Sequence, residues 1–149
     1  MASGFWIALI AVFVAGMTIA TQAPMNGRLG AGLGSGLAAA MVSFGVGFAL
    51  LAAIVTARGA LPGIAQVRAV PWWAWGGGAL GAYYIWVTIH AVEKLGVLTM
   101  AAALILGQLI GAMVLDSTGA FGLPVRAFDW QRALAAALVA AGVALSLRR

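Results

Sequence analysis

Carboxamide side chains within apolar stretches are the first candidates for chemistry in this sequence. Gln22 and Asn26 lie four residues apart, and Thr18 and Thr21 share a helix face with Gln22. Pro24 lies between the two carboxamides and removes a backbone hydrogen bond of a helix. A broken helix with free carbonyl groups beside polar side chains is one way in which transporters build a binding site. A simple helix end at Pro24, followed by a turn, accounts for the same pattern, and both interpretations stay open here.

A third carboxamide, Gln108, lies well inside another apolar stretch, between Gly107 and Gly111. It could donate to and accept from a polar substrate. It could equally form an interhelical hydrogen bond in a Gly-xxx-Gly interface, worth roughly 1 kcal/mol. Ser43 is a further candidate substrate contact, on a stripe of small residues that is also typical of close helix packing.

Aromatic side chains form a stripe in the middle of the chain. Tyr83, Trp86 and His90 recur at the spacing of one helix face. Tyr83 and Trp86 would suit an organic cation or an aromatic metabolite, and they would equally suit packing or anchoring at the membrane interface. We name both as candidate substrate contacts.

Two titratable side chains follow at the end of the same stretch. His90 and Glu93 lie three residues apart, and histidine gains and loses a proton near neutral pH. The pair is therefore a candidate for proton or ion coupling. A solvated ion cluster with Lys94 is the alternative.

Asp116 follows the next apolar stretch and is a third candidate for coupling. Its position at the end of that stretch also predicts a loop anchor that pairs with Arg126 or Arg132. The sequence contains no cysteine, no nucleophile–base pair, no metal-ligand cluster and no phosphate loop. We therefore predict neither catalysis nor a metal or cofactor.

The composition defines the elements that must position these residues. Of the 149 residues, 64% are hydrophobic and only 7% are charged, and the mean hydropathy is +1.10. Soluble domains carry roughly 25% charged residues, so this chain is predicted to be an all-α polytopic membrane protein in a lipid bilayer. The basic residues are scattered at the ends of apolar runs, which excludes a nucleic-acid interface.

Five apolar runs are long enough to cross a hydrocarbon core about 30 Å thick, which needs about 20 helical residues. They predict one five-helix domain, residues 1–149, with helices over about 4–22, 33–57, 72–91, 95–115 and 131–147. Met1 to Phe5 has no basic side chain, so the first run is predicted to be a mature helix rather than a signal peptide. The short link 92–94 predicts a tight antiparallel hairpin.

The basic residues in short loops set the orientation of such a protein. Five spans place the termini on opposite sides, and each side carries four basic residues. One side has Arg28, Lys94, Arg148 and Arg149, and the other has Arg58, Arg68, Arg126 and Arg132. This tie favours insertion in both orientations, and two opposite copies would form an antiparallel dimer resembling the inverted repeats of transporters. A coincidental tie, with a different protein as the partner, stays open.

Several short motifs occur in a characteristic order. The first half contains Gln22, Asn26 and Leu29, then Ser43-Phe44 with Gly45 and Gly47. The second half contains Gly77, Gly78 and Gly81, then Gly107-Gln108-Leu109-Ile110-Gly111, Val114-Leu115-Asp116, Gly119-Ala120-Phe121-Gly122-Leu123-Pro124 and Gly142-Val143-Ala144-Leu145. In order and spacing these motifs resemble the YdcZ-type five-helix family of the drug/metabolite transporter superfamily of bacterial inner membranes.

The resemblance implies half of a ten-helix transporter, and it implies no particular substrate. Related small multidrug exporters use a glutamate in their first helix, whereas the first span here has no carboxylate, so that type of proton-coupled antiport is not expected. We expect an inner-membrane, small-molecule transporter that works by alternating access as an antiparallel homodimer or with a paralogous partner. A dual-topology ion channel and a non-transporting partner subunit are the alternatives.

Overall fold

A computed structural model describes residues 2–147, and this part of the chain is helical, without strands. The main helices are α1 (Ala2–Leu33), α2 (Gly36–Ala57), α3 (Ile64–Ala69), α4 (Gly76–Thr118) and α5 (Trp130–Ser146). Short 3-10 turns at Trp72–Trp75 and Ala120–Gly122 precede α4 and follow it. The predicted all-helical class is confirmed.

The length of α4 requires a break. Its 43 residues would extend about 65 Å as one helix, twice the thickness of the hydrocarbon core. Gly96 supplies the break with φ 75° and ψ 163°, a combination that is accessible essentially only to glycine. We therefore treat α4 as a first half (residues 76–95) and a second half (residues 97–118). The apolar helices α1, α2, both halves of α4 and the shorter α5 account for about five membrane-spanning helices among the described residues.

The first helix differs from the prediction. The sequence pattern places its end near residue 22, but the helix continues through Pro24 to Leu33. Proline removes one backbone hydrogen bond, whereas a helix end leaves four carbonyl groups without helical partners. That is a larger cost in a lipid environment that offers no water. The helix end at Pro24 with a turn behind it, and the alternative of a broken helix at Pro24, are therefore both wrong.

The turn lies instead at Gly34 and Ser35. Gly34 adopts a φ of 65°, and Ser35 caps α2 by accepting a hydrogen bond from the backbone N–H of Ala38 at 3.2 Å. The second helix accordingly begins at Gly36, three residues later than predicted.

The described chain divides into two compact units between Lys94 and Leu95. In the first unit the buried core consists of Ala39 and Ala40 of α2 with Ile85 and Ile89 of the first half of α4, and Leu29 and Tyr84 pack against it. Small residues allow this approach: a Cβ atom added at Gly30 would lie 3.6 Å from the Cα atom of Gly36. The predicted link at residues 92–94 is wrong, because these residues are helical and the break lies at Gly96. The predicted single domain and the antiparallel arrangement of the two helices stay predictions.

The second unit contains the second half of α4 and α5. The hydroxyl of Thr99 donates to the carbonyl of Ser146 at 3.4 Å, near the start of one helix and the end of the other. At the opposite end, Arg132 of α5 lies 2.9 Å from the carboxylate of Asp116. The two helices are thus joined by polar contacts near both ends.

Candidate functional site

A cavity of about 740 Å³ lies between α1 and α2 in the first unit. Its twelve lining residues come from one face of each helix. They are Val14, Met17, Thr18, Thr21, Gln22, Met25, Asn26 and Leu29 on α1, and Val42, Ser43, Val46 and Gly47 on α2. The α1 members recur every three or four residues, as one helix face requires. The cavity is open, since Met25 on its wall is 66% exposed.

Two threonines in the wall present only acceptor oxygens. The hydroxyl of Thr18 donates to the carbonyl of Ala15 at 2.7 Å, and that of Thr21 donates to the carbonyl of Met17 at 2.9 Å. A hydroxyl has a single proton and two lone pairs. With the protons used inside α1, the oxygen atoms of both threonines are left to accept.

Asn26 is the most informative residue of the cavity. It is only 6% exposed, and its carboxamide makes no hydrogen bond within residues 2–147. In this part of the chain, every side-chain nitrogen or oxygen atom that is completely buried has a hydrogen-bond partner. The Asn26 amide therefore retains contact with open space, and the cavity between α1 and α2 is the space that this residue lines.

The remaining wall is apolar and uncharged. Valine, methionine and leucine side chains supply most of it, and the twelve lining residues include neither an ionisable nor an aromatic side chain. Gln22 and Ser43, like Asn26, make no side-chain hydrogen bond to another described residue. The cavity thus offers hydrogen-bonding groups to a bound molecule and no counter-charge.

The structure brings together three of the six predicted substrate contacts, Gln22, Asn26 and Ser43. Tyr83 and Trp86 lie on the first half of α4, are 65% and 43% exposed, and are outside the lining of this cavity. Gln108 is exposed on the second half of α4, in the other unit. The role of all six residues in substrate binding stays a prediction.

The apolar members of the wall were not predicted from the sequence. Val14, Met25 and Leu29 continue the helix face of Thr18 and Gln22, and the helical period would have found them. The α2 face had no comparable signal, because its residues are almost uniformly small or apolar.

A smaller pocket of about 240 Å³ lies beside the turn between α1 and α2 and includes both His90 and Glu93. The Nδ1 atom of His90 lies 2.8 Å from the carbonyl oxygen of Trp86. A carbonyl only accepts, so Nδ1 is the donor in this hydrogen bond. The ring also contacts Trp86 edge-on, with ring centroids 5.3 Å apart.

No ion pair in the described chain involves Glu93 or Lys94, and the alternative of a solvated ion cluster with Lys94 stays a prediction. Glu93 instead shares a neighbouring pocket of about 290 Å³ with Arg28. The proposed role of His90 and Glu93 in proton or ion coupling stays a prediction.

Asp116 is a loop anchor, as predicted. Its carboxylate accepts from the guanidinium of Arg132 at 2.9 Å, and its backbone carbonyl accepts from the N–H of Arg126 at 2.8 Å. Arg132 also lies 3.3 Å from Asp129, which caps α5 by accepting from the Arg132 N–H at 2.8 Å. Of the two predicted arginine partners, the ion pair uses Arg132. A role of Asp116 in ion coupling stays a prediction.

Comparison with known protein families agrees with the order of motifs in the sequence. The sequence profile of the family described as "Putative inner membrane exporter, YdcZ" matches residues 7–145. The chain belongs to the YdcZ family. The resemblance inferred from the motifs is therefore confirmed over nearly the whole sequence.

One curated member of the YdcZ family is similar to this chain. It is the inner membrane protein YdcZ of Escherichia coli strain K12, which is 32% identical over 83 residues. The aligned region covers 55% of this chain and 56% of the relative, so the chain spans little more than half of that relative's length. No solved structure matches the chain. Family membership and the apolar helices place the protein in the inner membrane.

Proposed function

We propose that the protein is a small-molecule transporter of the inner membrane that works by alternating access as an antiparallel, dual-topology homodimer. The observation that carries the proposal is the cavity between α1 and α2, which exposes carboxamide groups inside apolar helices. Polar groups at membrane depth are costly and mark substrate pathways. The family description as an exporter supports transport rather than catalysis.

Two opposite copies would together form the transporter, with Gln22, Asn26 and Ser43 in contact with the substrate. Gln108, Tyr83 and Trp86 lie outside the lining of the cavity between α1 and α2, so any contact that they make with the substrate is separate from it. An unpaired amide in hydrocarbon is penalised by several kcal/mol, so the carboxamides of Gln22 and Asn26 are best accounted for by a polar cavity that holds a ligand. His90, Glu93 and Asp116 are the candidates for coupling to a proton or ion.

Flux through liposomes tests transport. Purified protein is reconstituted, and uptake of a set of labelled metabolites and drugs is followed with and without the unlabelled compound inside. We expect saturable uptake that is accelerated by exchange. Non-saturable conduction would instead indicate an ion channel, and no flux from folded protein would indicate a partner subunit.

Reporter fusions test dual topology, which rests on four basic residues on each side. Two of the four on one side, Arg148 and Arg149, lie outside the described residues. Fusions at the C-terminus to a cytoplasmic and to a periplasmic reporter should both be active. Two lysines added after Met1 should shift the ratio of the two signals. If the protein inserts in a single orientation and the added lysines do not alter it, the antiparallel homodimer is refuted but transport is not.

A further inference from the structure

The hydrogen-bonding groups of the cavity between α1 and α2 point to the chemical class of its ligand. We propose that the cavity binds an uncharged molecule with an apolar body and a polar group that both donates and accepts, such as an amide, with Asn26 as the main polar contact. This inference rests on the proposed function, because it names the class of molecule that such a transporter would carry.

The absence of charge in the wall excludes the two charged classes. An ion buried without a partner loses far more hydration energy than an apolar wall returns. An organic cation would need a carboxylate or an aromatic face, and an anion would need an arginine or a lysine. The twelve lining residues include none of these. An uncharged molecule enters such a site without that cost.

The polar groups of the wall define what the ligand must carry. Thr18 and Thr21 can only accept, because both hydroxyl protons are bonded within α1. The amide groups of Gln22 and Asn26 supply N–H donors and carbonyl acceptors. A ligand group that both donates and accepts, as a primary amide does, satisfies the whole set. A hydrocarbon chain of a lipid would leave the amide groups of Gln22 and Asn26 without a hydrogen-bond partner.

The burial of Asn26 makes it the contact that discriminates. Asn26 is only 6% exposed, so little water can reach its amide. A ligand in the cavity would take the place of that water as the hydrogen-bond partner. A site built to hydrogen-bond a substrate group rejects an analogue that lacks it, because the buried polar group is then left unpaired. Gln22 is exposed and can turn to other partners.

Three labelled compounds that share an indole ring test the inference. They are indole-3-acetamide, indole-3-acetate and tryptamine, which at neutral pH are uncharged, anionic and cationic. Binding is measured by equilibrium dialysis with purified protein in nanodiscs of phosphatidylcholine, a lipid without net charge. The amide should bind saturably and at least tenfold more tightly than either charged compound. Tighter binding of a charged compound, or no binding of the three to folded protein, would overturn the inference.

Variants locate the binding. Asn26→Leu should weaken amide binding at least tenfold, and Gln22→Leu should weaken it about threefold, which keeps the test decisive if the first variant does not fold. Gln131→Leu is the matched control, since it removes the same chemical group from α5, outside the cavity, and should change the affinity less than twofold. Asn26→Asp should raise the affinity for tryptamine relative to the amide at least tenfold.

Two further outcomes distinguish ligand binding in the cavity from dimer packing there and from transport itself. If Asn26→Leu abolishes the dimer on size-exclusion chromatography while amide affinity is retained, the cavity is occupied by a second copy of the chain, and the inference is wrong. If the amide binds with the expected preference but no flux occurs in liposomes, the inference stands and the proposed transport function fails. If charged compounds show saturable flux that Asn26→Leu does not change, the proposed transport function stands and the inference is wrong.

Discussion

The ion pair between Asp116 and Arg132 closes the loop that joins the second half of α4 to α5, and its removal should measurably destabilise the second unit. Asp116→Asn keeps the shape of the side chain and removes its charge. Both side chains are about one-third exposed, at 32% for Asp116 and 31% for Arg132. The pair therefore lies between a solvated surface pair and a buried one.

The exposed fractions of the two side chains determine how much the ion pair should contribute to the free energy of unfolding. Exposed pairs contribute about 0.2–1 kcal/mol, and hydrogen bonds to charged groups contribute about 1.5–3 kcal/mol. Asparagine still accepts a weaker, neutral hydrogen bond from Arg132. We expect Asp116→Asn to lower the free energy of unfolding by about 1–2 kcal/mol, and a double-mutant cycle with Arg132→Gln to give a coupling of about 1 kcal/mol.

Arg126 provides the matched control, because its backbone N–H donates to the carbonyl of Asp116 while its guanidinium makes no hydrogen bond or ion pair with the described residues. Arg126→Gln should change stability by less than about 0.5 kcal/mol and should not rescue Asp116→Asn. The assay is reversible unfolding of purified protein in mixed micelles with increasing dodecyl sulfate, followed by tryptophan fluorescence. An unchanged midpoint for Asp116→Asn, or equal coupling to Arg126 and Arg132, would refute the assignment of the pair.

Three further changes can be measured in the same assay. Gly36→Ala places a Cβ atom 2.6 Å from a ring carbon of His90 and should lower the free energy of unfolding by about 1–3 kcal/mol. In the control Gly32→Ala the new Cβ atom meets nothing within 4 Å, so this variant should be neutral or more stable by up to about 1 kcal/mol. Equal effects of the two variants would contradict this packing. Ser35→Ala removes the cap of α2 and should cost about 0.5–2 kcal/mol, while Ser35→Asn should retain most of the stability; an identical loss in both would argue against a cap. Gly119→Ala combines a φ of 64° with a valine methyl group 2.7 Å from the new Cβ atom and should cost at least about 1 kcal/mol; wild-type stability would show that the loop adopts another conformation.

The fold class could be predicted because composition alone separates membrane chains from soluble ones, but helix ends could not. Val92-Glu93-Lys94 suggested a break, yet polar residues do not by themselves end a helix, and the break occurs at Gly96. Pro24 suggested an end, yet the helix continues. In both cases the local preference for ending the helix was weaker than the cost of leaving backbone N–H and carbonyl groups without hydrogen bonds in lipid.

The site could be predicted only in part, because helix periodicity identifies residues that share a face of one helix but not the helix that this face contacts. The helical period placed Gln22 near Asn26, and the structure brings Ser43, a separate candidate in the sequence, to the same cavity from the facing helix. Which residues of α2 face α1 depends on how the two helices pack around Ala39 and Ala40, and a nearly uniform apolar sequence does not encode that face in its pattern. Tyr83 and Trp86 share a helix face with each other, but helix periodicity alone does not say which cavity that face lines.

The uncharged wall of the cavity between α1 and α2 has an energetic consequence for a cell that maintains a membrane potential. Moving one elementary charge across the membrane changes the free energy by about 2.3 kcal/mol per 100 mV. The lining residues carry no such charge, so if alternating access moves this site across the field with an uncharged molecule inside, the wall and its cargo contribute no electrical work. The direction of net movement would then follow the concentration gradient of the molecule, unless a residue outside the cavity couples the cycle to an ion.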